Sequence, residues 1–196
     1  KQTNKQKLEN MNELILSNLK TPHSELGIAA AAQGGGFPAA CIVSSSVNNI
    51  GGVIQTTLLI DLGKGAGSGG GVADIIGTDN VADAGGAYIT SLSKEVNGLP
   101  YSIELSCVET PTGGDPDINV VTGSAADDAH DAAVTGAVIV VNGGDQQDGL
   151  NTQGDALGTV ADGTIALPYV YLTTGAATNA AYTAGKVIVT IYGSNF

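Results

Sequence analysis

Apolar residues recur along this chain with two different periods, and the change of period divides it. Leu8, Met11, Ile15 and Leu19 fall at i, i+3, i+7 and i+11, one stripe of an α-helix, with Leu14 and Leu16 widening it. Thr21-Pro22 stops the stripe, because the residue before a proline is pushed out of the helical region. A run of alanines from Ala29 to Ala32 and the triplet Gly34-Gly35-Gly36 follow as a hinge. A helix of about thirteen residues is marginal alone in water. Its stripe therefore needs a surface: the chain's own body, a sister helix or another protein.

Beyond the hinge the period is two. Between Val53 and Leu62, Ile54, Thr56, Leu58, Ile60 and Leu62 share one face, while Gln55, Thr57 and Asp61 share the other. Between Tyr101 and Glu109, Tyr101, Ile103, Leu105 and Cys107 are predicted to face in, and Ser102, Glu104 and Ser106 out. Ala39 to Val47, Val134 to Asn142, Ile165 to Thr173 and Lys186 to Tyr192 read as further strands. Ile118 to Thr122 and Val72 to Ile76 are shorter ones. Val138 to Val141 is apolar on both faces, which predicts a central strand; Pro168 predicts an edge or a bulge. Ile89, Leu92, Val96 and Leu99 return to helical spacing and end at Asn97-Gly98. About eight strands joined by Gly-rich turns predict a mainly β fold, an antiparallel two-sheet sandwich of jelly-roll type with an N-terminal helical arm. Residues 1–36 form the arm and hinge, and residues 37–196 the sandwich domain.

Composition sharpens this division. At 196 residues the chain is one domain with an appendage, and 29 glycines fit a fold rich in turns. The formal charge is −12 but is unevenly spread. Residues 1–20 carry Lys1, Lys5, Lys7 and Lys20 against Glu9 and Glu13, about +2, leaving about −14 for the rest. An acidic body without a single Arg argues against nucleic acid and anionic lipid as partners. The lysines of the arm suit an acidic protein surface instead. No secretory signal is expected, since the N-terminus has no apolar core of that kind, and no run approaches the ~20 apolar residues of a membrane span. Cys41 and Cys107, both in predicted strands, read as buried thiols; no Cys-x-x-Cys spacing suggests a metal.

Candidate chemistry is sparse. Gly65 to Gly70 fits a dinucleotide-binding glycine pattern after a strand, but Val72 to Ile76 runs straight into Gly77 and leaves no room for the helix such a site needs. The stretch reads as a turn. Asp127, Asp128, His130 and Asp131 could hold a divalent ion or form a solvated loop; His23 is the other histidine. Asp115-Pro116-Asp117 and the pair Asp145 and Asp148 each follow two glycines, and could bind calcium or form Asx-turns. Neither pattern supplies a nucleophile with its base, so no catalytic residue and no cofactor is expected.

Three segments carry a resemblance. They are Ala-Asp-Ala-Gly-Gly-Ala-Tyr-Ile-Thr at 82–90, Cys-Val-Glu-Thr-Pro-Thr-Gly-Gly-Asp-Pro-Asp-Ile-Asn at 107–119, and the closing stretch Tyr-Val-Tyr-Leu-Thr-Thr-Gly-Ala-Ala-Thr to Lys-Val-Ile-Val-Thr-Ile-Tyr-Gly at 169–193. Together they resemble small structural proteins of marine and aquatic tailed bacteriophages, over about residues 50–193. The resemblance implies a virion component, a capsid decoration or cement protein that binds the major capsid protein. It would be assembled in the host cytoplasm as a homo-oligomer, with a homotrimer suiting threefold sites. The alternative is a tail or fibre module that recognises a host glycan. The arm lies outside the likeness, so Lys5, Leu8, Met11, Ile15 and Leu19 are expected to bind a partner on their own pattern alone.

Overall fold

The alternation that begins at Val53 does what a period of two should: it builds a sheet with one wet face. The computed structural model describes residues 33–78, 85–154 and 164–194. Among these, strands run β1 (Ile42–Ile50), β2 (Val53–Asp61), β3 (Ala66–Gly67), β4 (Gly77–Thr78), β5 (Thr90–Ser91), β6 (Leu99–Thr112), β7 (Ile118–Gly123), β8 (Val138–Val141), β9 (Asn151–Gly154), β10 (Tyr169–Thr174) and β11 (Ala184–Ser194). All pair antiparallel. A five-stranded sheet is ordered β1-β2-β11-β6-β9, a four-stranded sheet β5-β10-β7-β8, and β3 pairs with β4. The protein is mainly β with antiparallel sheets. The arm residues Lys5, Leu8, Met11, Ile15 and Leu19, and with them the expected helix, lie outside the described residues.

In the five-stranded sheet Ile54, Thr56, Leu58 and Ile60 are buried, as are Ile103, Leu105, Cys107, Val187, Val189 and Ile191. The opposite face is mostly polar and partly exposed, with Leu59 beside Ile188 as an apolar pair within it. The β1–β2 hairpin turns through Gly51 and Gly52, at φ 63° and 92°, a conformation that glycine adopts without steric cost. Register shifts explain where the expected facing fails. Ser102 lies opposite Tyr192 and Pro100 opposite Gly193, so Tyr101 is an extra residue and its ring turns outward, 46% exposed. Val108, between Cys107 and Glu109, and Val43, between Ile42 and Ser44, are unpaired in the same way and equally outward.

The four-stranded sheet is covered on both faces of its two interior strands. Every residue of β7 is buried, and all of β10 after Tyr169. One face carries Tyr171, whose hydroxyl donates to the Ala125 carbonyl at 2.6 Å and whose ring meets Tyr88 edge-on. The other face carries Val120, Val170 and Leu172. Residues of both larger sheets belong to one buried apolar cluster with Phe37, Ile75 and Ile76. On the polar face of the first sheet Lys186 pairs with Glu109 and, at 4.0 Å, with Asp61.

Several expected elements take different forms. Ala39–Cys41 is a turn of 3-10 helix, so Cys41 precedes β1 instead of lying in it. Val138–Val141 forms the edge of its sheet, with Val138 and Ile139 exposed, because its apolar run lies against one neighbour only. β10 is an interior strand and begins after Pro168, whose carbonyl accepts from the Leu92 amide at 2.7 Å. The expected helix over 89–99 shrinks to one turn, Lys94–Asn97, capped by the Ser93 hydroxyl and ended by Gly98. Backbone pairing with β10 claims what precedes it: the Ile89 amide donates to the Val170 carbonyl. Val72–Ile76 forms no regular strand, since Ala73 has φ 67°; Ile75 bridges Thr173 instead.

Gly34 and Gly36, after the alanine run, are packed rather than free. Gly34 donates to the Tyr88 carbonyl at 2.8 Å and Gly36 to that of Gly86 at 3.0 Å. A Cβ on Gly34 would stand 1.9 Å from the Gly86 oxygen. Close approach, and not freedom of rotation, requires glycine there.

Candidate functional site

The two Asp-bearing turns singled out separately in the sequence meet in the fold. Asp115-Pro116-Asp117 connects β6 to β7, and Gly143 to Asp148 lies between β8 and β9. Asp117 and Asp145 form an antiparallel bridge, the Gln146 amide donates to the Pro116 carbonyl at 2.9 Å, and the Ile118 amide to that of Gly144 at 3.2 Å. A third loop, between β10 and β11, closes the corner. The Gly175 amide donates to the Asp117 carbonyl at 2.8 Å, and the Ala176 amide to Asp115 Oδ2 at 2.9 Å.

Local chemistry explains the geometry. Asp115 Oδ1 accepts from the Asp117 amide at 3.0 Å, an Asx-turn that Pro116 pre-sets by fixing its own φ. The Asp115 carbonyl accepts from the Tyr182 hydroxyl at 2.6 Å. The Asp115 carboxylate is thus buried but fully employed, one oxygen on each of two loops. Gly175 is required: a Cβ there would lie 2.0 Å from the Asp117 Cγ.

Two oxygens at this corner are buried without a hydrogen-bond partner, Asp117 Oδ1 and Gln146 Oε1. Gln146 is wholly buried, and its Nε2 donates to the Gly143 and Gly144 carbonyls. Burial raises the Asp117 carboxyl above the ordinary carboxylate range, and the neighbouring Asp115 and Asp145 push it the same way. Tyr182 is raised for the same reasons, burial first and then Asp115 and Asp117. Beside the corner lies an open cleft of about 560 Å³, lined by Thr110, Pro111, Pro116 and the Asp145–Asp148 loop. Its polar rim can hydrogen-bond a hydroxylated ligand, and Asp117 can take up a proton.

The other candidate residues do not converge. Asp128 spends both oxygens on Thr135, each contact at 2.7 Å, while Asp131 Oδ1 accepts from the Gly70 amide at 2.5 Å. His130 is buried, with its Nε2 unpartnered. Among the described residues no group of three or more His, Cys, Asp or Glu side chains is arranged to hold a metal ion. Gly65–Gly70 leads into no helix: Ala66–Gly67 pairs with Gly77–Thr78, and Ser68 is buried with its hydroxyl donating to the carbonyls of Thr178 and Ala180. His23 lies outside the described residues. Cys41 and Cys107 are free and buried; burial pushes the Cys41 thiol up to about 11 and raises that of Cys107. No helix among the described residues is long and apolar enough to cross a membrane.

Sequence reasoning marked Asp115, Asp117, Asp145 and Asp148 but missed Gln146 and Tyr182. A glutamine after Gly-Gly-Asp reads as surface, and nothing local shows that a loop some thirty residues away covers it. Comparison with family models, with curated proteins and with solved structures returned no match for this chain.

Proposed function

We propose that this protein is a non-catalytic virion component, a decoration protein with a jelly-roll body on the outside of a tailed-phage head. Its N-terminal arm, through Lys5, Leu8, Met11, Ile15 and Leu19, grips the major capsid protein or a sister subunit. The observation that carries the reading is the strand order. With β1 and the β3–β4 pair set aside, eight strands in chain order form one sheet as 1-8-3-6 and the other as 2-7-4-5. That order supports a jelly-roll sandwich, an architecture that recurs in viral capsid domains. Two further observations agree. The body is acidic, which favours solubility at the high local concentration of a shell. The root of the arm is fixed on the body where Gly34 and Gly36 pair with the 86–88 segment. Weak contacts repeated within an oligomer then add through effective concentration.

Counting copies on purified particles tests this directly. A decoration protein is present in hundreds, and its absence from the head overturns the reading. Deleting residues 1–20 is expected to leave the β body folded, by circular dichroism and melting, while abolishing particle binding. The open cleft favours a second reading, a tail or fibre module that binds a host glycan, since jelly rolls also serve as lectin domains. Tens of copies or fewer at the tail, together with glycan binding lost in Asp148→Ala, would favour it.

A further inference from the structure

We propose that the free edge of β1 is a self-association surface, pairing antiparallel with β1 of a second copy about a two-fold axis. β1 is the outermost strand of its sheet, and among the described residues no strand pairs with its outer side. Nine residues long, it offers about 30 Å of edge. Natural edges of that length are usually guarded by lysine, proline or an inward charge. β1 reads IVSSSVNNI, with none of these. Its bulge at Val43 lies near the N-terminal end and leaves Ser44–Ile50 regular.

Charge selects the occupant. The chain carries −12, yet residues 33–60, which include all of β1 and all of β2 up to its terminal Asp61, contain no charged residue. Two copies repel over most of their surfaces and approach at least cost along this strip. A basic partner would gain nothing from it and would settle on the acidic surfaces instead. The exposed apolar residues agree: Ile50 is 63% exposed and Val43 53%, at opposite ends of the strand. Antiparallel pairing centred on Val47 sets Ile50 of one copy opposite Ser44 and next to Val43 of the other, covering both at each end. β8, the other apolar edge, is not equivalent, because its Val140 carbonyl lies against Gly154 of β9.

The inference goes beyond the virion reading and does not depend on it. Sedimentation equilibrium of the full chain over a hundredfold range of concentration tests it. The mass is expected to rise from one copy towards two, and the dimer fraction to increase with added salt, which screens the residual repulsion. Ser46→Glu with Asn48→Glu is expected to weaken the dimer at least about tenfold, about 1.4 kcal/mol. The charge-matched control Val108→Glu with Val138→Glu leaves it unchanged. Asn48→Glu alone gives a smaller shift of the same sign, should the double variant fail to fold. A wild-type chain that stays monomeric at every concentration overturns the proposal, as does a dimer indifferent to the β1 variants.

Discussion

The two larger sheets bury themselves by different means. The five-stranded sheet presents one apolar face inward and leaves Gln55, Thr57 and Tyr192 half-buried along a mostly polar outer face that Leu59 and Ile188 interrupt. In the four-stranded sheet both faces of β7 and β10 are covered, one of them by loop segments that include Tyr88, Ala125 and Val134. Alternation is a statement about contact with water, so it survives in the first sheet and fades in the second. The same side-chain type therefore carries different weight on the two non-core faces.

Truncation tests that contrast most severely. Tyr171→Ala, on the loop-covered face of β10, is expected to cost about 3–5 kcal/mol, because a fully buried ring is lost. Chemical denaturation reads it. The corner beside β7 gives a smaller effect with a defined sign. The Asp117 carboxyl is raised in the folded state, so the folded chain binds its proton more readily than the unfolded chain. Its penalty is full at neutral pH and is relieved as pH falls through the folded value towards the ordinary one. Asp117→Asn is expected to raise the melting temperature at pH 7 and to flatten its dependence on pH in the mildly acidic range; an unchanged profile would show that the carboxyl is not perturbed. Least affected is the wet face: Thr57→Ala should stay within about 0.5 kcal/mol of the parent. A loss comparable to that of Tyr171 would mean that this face is covered in solution.

How much of this could be read beforehand follows from the same contrast. The inward set Ile54, Thr56, Leu58 and Ile60 was legible because nothing interrupts the strand between Val53 and Asp61. Tyr101 was misread because a register shift is fixed by the partner strand, and β11 lies some ninety residues away. Val138–Val141 was misread for a related reason: hydrophobicity on both faces does not distinguish an interior strand from an edge that its neighbours leave open. The acidic corner was half legible. Each Asp turn announces itself by its glycines, the first also by Pro116, but the meeting of Asp117 with Asp145 depends on the pairing of β7 with β8. Gly34 and Gly36 read as slack and proved to be tight, because a glycine needed for clearance looks the same in one dimension as one needed for freedom.

The bulges of the five-stranded sheet have a consequence for how the chain finds its alignment. Val43, Tyr101 and Val108 each interrupt a ladder by one residue at unevenly spaced places. A ruler with irregular gaps can be laid against its mate in a single position, whereas evenly marked rulers slide. Strands that repeat Ile, Leu and Val at every second, inward position would otherwise be free to slip by two residues, a shift that leaves every side chain on its own face. The three ejected side chains are thus the outward trace of an internal lock on registration.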